Sequence, residues 1–238
     1  TGTWDIMPTA NYVGNQGVDA LTYNLSATLD STNYQVGENA TLEWSIAPLE
    51  VEIDWVGGSF TYDKEEKTVS ANITNIVGSD VVGLVIDGNI GINANGYQAS
   101  VTALNGDDKA NYALPATTPT FDWTIAPLVV DIAWAVGTLT YNGEEQGISA
   151  SISNKIDTDD VTLVLLDNTA TLAKGYTAKV SALDGVDKAN YALPATTPTQ
   201  EWSIAKRVID IAWEVGTLTY NGLEQSISAS VANKVGSD

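Results

Sequence analysis

Apolar and polar residues alternate with a period of two along most of the chain. Val51, Ile53 and Trp55 are interleaved with Glu50, Glu52 and Asp54, and the trios Val130/Ile132/Trp134 and Ile209/Ile211/Trp213 repeat the pattern. Tyr176, Ala178, Val180 and Ala182 likewise face away from Thr177, Lys179 and Ser181. Side chains of a strand point to opposite faces in turn, so each run predicts a half-buried β-strand. In the run around Trp202 and Ile204 those two side chains point inward, with Glu201 and Ser203 outward. No segment sustains the 3.6-residue period of a helix; the one helical turn expected lies near Asp187–Tyr191. Asn142-Gly143 stands between Leu139–Tyr141 and the run Ile148/Ala150/Ile152, and Asn221-Gly222 repeats it. Asn-Gly flanked by alternating runs predicts a two-residue hairpin with φ > 0 at both central positions. Asp63-Lys64 stands in the same place of the preceding copy, so that turn has to relax or change type.

The alternating runs recur every 79 residues. Trp55, Trp134 and Trp213 keep this spacing, as do Tyr62, Tyr141 and Tyr220, and Trp44, Trp123 and Trp202. KANYALPATTPT occurs at Lys109–Thr120 and again at Lys188–Thr199. A fixed period of this length predicts a tandem array of one small domain. Whole repeats are expected at 49–127 and 128–206, with 1–48 the divergent C-terminal part of a repeat and 207–238 the N-terminal part of another; cuts after Asp80, Asp159 and Asp238, again 79 apart, are the alternative frame, disfavoured because the first keeps the alternating trios at the start of a domain. Some six or seven short strands per repeat predict an all-β fold, a tandem array of small antiparallel immunoglobulin-like β-sandwiches. A β-grasp-like repeat is the alternative, disfavoured because no amphipathic helix is present to cover the sheet. Trp123–Trp134 passes from one repeat into the next without a Gly/Ser run, and Pro48 and Pro127 stiffen the crossing. An elongated rod is the expectation.

Composition narrows the chemistry. Thirty acidic and ten basic side chains leave a net charge of −20, which argues against nucleic-acid backbones and anionic membrane surfaces as partners. Cys and His are both absent, removing disulfides, thiolate chemistry and the usual zinc ligands. No apolar run approaches the roughly 20 residues of a helical membrane span, so no membrane insertion is expected. Asp157, Asp159 and Asp160 are weak candidates for calcium, which needs several oxygens, and solvated turns are the plainer expectation for them. No other cofactor is expected. Six of the seven tryptophans fall into the two periodic series and read as core; Trp4 lies outside both and is the one free candidate for stacking on a sugar. Leu114-Pro-Ala-Thr-Thr118 and Leu193-Pro-Ala-Thr-Thr197 look like a sortase anchoring signal but carry Thr where that signal has Gly. A buried lysine recurring in every repeat, as a covalent Lys–Asn crosslink would need, is not found. No acidic pair stands out for glycoside hydrolysis, no catalytic residue is assigned, and an enzyme is not expected.

The ordered motifs Thr140-Tyr-Asn-Gly143, Gly175-Tyr-Thr-Ala178, Asn190-Tyr191 and Trp202-Ser-Ile-Ala205, with their counterparts one period away, resemble the MBG/YDG-type repeats of bacterial cell-surface proteins and adhesins. That resemblance implies an extracellular stalk or spacer, secreted or held at the cell surface, with its neighbouring repeats as partners. Two other functions are carried as expectations. One is an adhesin module gripping a glycan or a host surface protein. The other is a filament subunit in which residues 207–238 of one molecule are completed head-to-tail by residues 1–48 of the next.

Overall fold

The structure is a computed structural model that describes residues 10–38, 40–117, 119–196, 198–214 and 216–236. Trp4, Thr118, Thr197 and Asp238 lie outside the described residues. The chain is built from strands, with 3-10 turns at Lys109–Asn111 and Lys188–Asn190 and no α-helix among the described residues. It divides into two compact units, Thr1–Phe60 with Glu65–Ile125, and Thr61–Lys64 with Ala126–Asp238.

In the first unit a four-stranded sheet runs in the order Ser59–Thr61, Thr120–Ala126, Asn95–Asn105, Gly83–Asp87. Ile53–Val56 pairs antiparallel with Ser70–Ile73. A separate three-stranded sheet joins Ala10–Val13, Thr22–Leu29 and Thr41–Ser45. The apolar positions of the alternating runs make the core: Val51, Val69, Ala99, Val101, Trp123 and Ile125 are buried. The second unit repeats the plan with Leu139–Thr140, Thr199–Ala205, Gly175–Asp184 and Thr162–Leu166 in one sheet, and Ile132–Ala135 paired with Ser149–Ile152. Ile148, Ala178, Trp202 and Ile204 form its buried cluster, with Trp134, Leu139, Tyr141 and Tyr176 packed on it. The Asp210–Glu214 and Ser228–Ala232 pair follows, with every residue of both strands exposed.

Among the described residues, the following pairings depart from the expected antiparallel sandwich. Tyr112–Ala113 runs parallel to Leu49–Glu50, Tyr191–Ala192 to Leu128–Val129, and Leu139–Thr140 to Ile204–Ala205. The last of these also corrects the hairpin. The Tyr141 N–H donates to Ala205 O at 2.9 Å, so the strand before Asn142-Gly143 is taken up by the four-stranded sheet instead of folding back on the strand after it. The turn remains but changes type: Gly143 has φ +82°, whereas Asn142 keeps a negative φ and uses Oδ1 to accept the Glu144 N–H. Lys64, in the place of Gly143, adopts φ +70° despite its Cβ.

The divergent N-terminal part keeps the hallmark contacts of the repeat. Tyr23 stacks on Trp44 at 4.6 Å, as Tyr97 does on Trp123 at 4.5 Å and Tyr176 on Trp202 at 4.7 Å. Each tyrosine hydroxyl donates to the carbonyl four residues earlier, and each indole N–H to a carbonyl at Gly14, Gly88 or Asp167. The spacing from tyrosine to tryptophan is 21 residues in the first case and 26 in the others, so the divergence there is largely a five-residue shortening.

Candidate functional site

The most concentrated polar chemistry of the described residues surrounds Asp159. Its side chain is wholly buried. Oδ2 accepts the phenol hydroxyls of Tyr62 and Tyr191, both at 2.8 Å. Oδ1 faces Lys64 Nζ at 2.6 Å, and Nζ also donates to Thr158 Oγ1 at 2.7 Å. Tyr191 sits here because the 3-10 turn Lys188–Asn190 delivers it to the edge of Leu128–Val129, and its hydroxyl accepts the Ile156 N–H at 3.2 Å. Tyr62 is fixed by its own N–H on Ala126 O, and the two phenol rings meet edge-on at 5.7 Å. Residues 61–64 thus belong to the second unit, although the sequence period assigns them to the repeat 49–127.

Burial alone would raise the pKa of Asp159. The hydrogen bonds from Lys64, Tyr191 and Tyr62, with the lysine charge, outweigh it and hold the carboxyl below the usual range. Burial, then the anionic Asp159, pushes the Tyr62 phenol far above its ordinary value. Burial also raises Tyr191, against the opposing Ile156 bond. The result is a fixed anion with both oxygens engaged, not a carboxylic acid ready to give up a proton.

The first unit repeats the core of this arrangement. Tyr112 donates to Asp80 Oδ2 at 2.8 Å and accepts the Val77 N–H at 2.9 Å. Asp108 and Asp187 cap the same loop in the two units, accepting the N–H of Val81 and Asp160. Asn75 and Asn154 each clamp the first strand of their repeat, accepting one backbone N–H and donating to one backbone carbonyl.

The three aspartates proposed for calcium are therefore not equivalent. Asp159 is not in a solvated turn, because the phenols and the lysine remove it from water. The Asp160 carboxylate accepts the Val186 N–H, and Asp157 is exposed. Among the described residues no group of three or more acidic side chains is placed to hold a metal ion. The tryptophan expectation holds for Trp123 and Trp202, 1% and 5% exposed, but fails for Trp213, which is 62% exposed. The recurring Tyr112/Tyr191 and Asp80/Asp159 positions were visible as periodic residues. Their pairing with Tyr62, 97 positions from Asp159, was not. The signal that could have found it is Lys64, a charged residue where the other two copies carry Gly143 and Gly222.

No protein-family model matches the chain, and no curated protein does. What the fold and site define is an all-β protein whose recurring polar residues are spent on bonds within the protein, some inside a repeat, as Tyr112 on Asp80, and some from one repeat to the next, as Tyr62 on Asp159.

The Asp159 cluster has a pH signature. A depressed folded-state carboxyl contributes stability that is present above its unfolded pKa, about 3.9, and lost as pH falls through the lower folded value. The raised phenols contribute stability that is present below about 10 and lost as pH rises towards their folded values. Stability of the second unit should be flat between these limits and fall on both sides. Asp159→Asn should flatten the acid limb; an unchanged acid limb in that variant would contradict the assignment.

Proposed function

We propose that this chain is a non-enzymatic structural segment, a stalk or spacer of tandem immunoglobulin-like repeats in an extracellular bacterial surface protein. One observation carries the reading. The stacked Tyr–Trp pair, the phenol–aspartate bond and the asparagine clamp are rebuilt one period apart with the same partners. Polar residues that recur in this way serve the fold of each copy, and an array of such copies supplies length and display. The acidic surface supports the same reading, since like charge keeps neighbouring molecules apart and soluble.

A second reading, a module that binds a glycan or a host surface protein, is favoured by the apolar surface around Trp213, Tyr220 and Leu223, which are 62%, 92% and 75% exposed. Glycan arrays and mucin-coated surfaces separate the two. The spacer reading expects no saturable binding of the chain to either. Saturable binding abolished by Trp213→Ala would replace it with the adhesin reading.

A further inference from the structure

In the second unit two strand edges lie beside one cavity without bonding to each other. Ser149–Ile152 is paired on one side with Ile132–Ala135, and Thr162–Leu166 on one side with Gly175–Asp184. Among the described residues no ladder joins the two remaining edges. The cavity between them measures about 290 Å³. Ala150, Ile152, Val161 and Leu163 give it apolar walls, and Lys155 with the exposed Ser151 and Thr162 completes the lining. All of these residues belong to the second unit and stand far from both ends of the sequence.

Lys155 is the unusual member of this lining. The residue is half-buried, yet its ammonium has no hydrogen bond and no ion pair among the described residues. Lys109, Lys179 and Lys206 also have none, but they are exposed and their charge is met by water. Drawing an ammonium out of water without a partner is costly, and thirty acidic side chains offer partners elsewhere in the chain. Nor does the fold of a repeat require a lysine there. One period earlier the walls are the same, Ala71, Ile73, Val82 and Leu84, and Ile53–Val56 pairs with Ser70–Ile73 in the same way. Ile76 stands in that copy at the place of Lys155, whereas Lys234 repeats the lysine one period later.

We infer that this cavity binds a small organic carboxylate with an apolar body. One carboxylate oxygen meets the Lys155 ammonium in a charge-assisted bond. The other accepts N–H groups of the open strand edges, since a sheet edge forms a concavity suited to anions. The body fills the space between Ala150, Ile152, Val161 and Leu163. At about 30 Å³ for each non-hydrogen atom the cavity holds about ten of them, which fits an aryl-alkyl or medium-chain acid. The net charge of −20 repels anions at a distance. Salt screens that field beyond about 8 Å at physiological ionic strength, so the contact at Lys155 decides.

Titration of the full chain with phenylacetate at physiological ionic strength, followed by amide NMR, tests this. Saturable shifts are expected in Ser149–Ile152 and Thr162–Leu166, with a Kd of about 1 mM or tighter. Phenylacetamide has the same shape without the charge and should bind ~10-fold more weakly. Lys155→Met should weaken phenylacetate binding by the same ~10-fold, while Lys155→Arg should retain most of it. Because Ile76 fills the equivalent place in the first unit, Lys155→Met should keep the far-ultraviolet spectrum of the parent chain. No saturation up to ~10 mM phenylacetate would overturn the inference. Equal binding of acid and amide, binding unchanged in Lys155→Met, or shifts centred on Lys109, Lys179 or Lys206 would overturn it as well.

Discussion

Asp159→Ala is expected to destabilise the second unit by about 4 kcal/mol. Removing one partner of a buried charge cluster leaves the others desolvated and unpaired, which costs more than the pair contributes net. Here the orphans are two phenols and an ammonium. Single partners should cost less and unequally. Tyr62→Phe and Tyr191→Phe should each cost about 2 kcal/mol, the range for a hydrogen bond to a charged group. Lys64→Met should cost about 1 kcal/mol, because the lysine side chain is 43% exposed and water offsets much of its loss. Lys64→Gly should come out near neutral, since it deletes the ion pair but also relieves the φ +70° backbone, worth about 1 kcal/mol. Hydrogen exchange of amides in Gly175–Asp184 reads the opening free energy of this unit directly. An Asp159→Ala loss within 1 kcal/mol would mean that the cluster is held by its surroundings and not by its charges. A double-mutant cycle between positions 62 and 159 then isolates the phenol contribution.

Trp202→Ala should cost about 4 kcal/mol in the same unit, the range for emptying an aromatic site in a packed core. It removes the stack on Tyr176, the N–H bond to Asp167 O and the packing on Ile148 and Ala178. Trp213→Ala, eleven residues on, should cost under about 1 kcal/mol, because most of that side chain already faces water. Denaturant unfolding of the two variants against the parent gives the comparison. Equal losses would place Trp213 in a core.

Strand identity was readable because alternation is a local property: Trp202/Ile204 and Tyr176/Ala178/Val180 announce their buried face within five residues. Pairing is not local, and there the reading went astray. Asn142-Gly143 is a strong hairpin signal, yet the strand before it pairs with Ile204–Ala205, more than sixty positions on, and no nearby residue encodes that choice. Trp213 fits its periodic series and is still 62% exposed, because burial depends on which strands pack over a residue and not on the residue's own pattern alone. The Asp159 cluster was half legible. Its tyrosines and aspartates recur with the period, but a carboxylate among other acidic residues reads as a solvated turn until two phenols and a lysine are seen to enclose it.

The uneven distribution of one residue bears on how such a chain can change length. The two KANYALPATTPT runs are identical over twelve residues, so a duplication or deletion joining one run to the other would add or remove a whole period without shifting the strand pattern. An added copy would bring an aspartate at the position of Asp159 together with the tyrosines at 141 and 191, so the phenol–carboxylate pair is inherited automatically. Lys64 would not be duplicated, because it lies upstream of both runs. A side chain at Gly143 would bring its Cβ to 2.5 Å from Val235 Cγ1, so Val235 would have to shift to admit one. Expansion would therefore multiply the phenol–carboxylate bonds of the cluster while the ammonium remained single, and each new period would have to hold its buried anion with phenols alone.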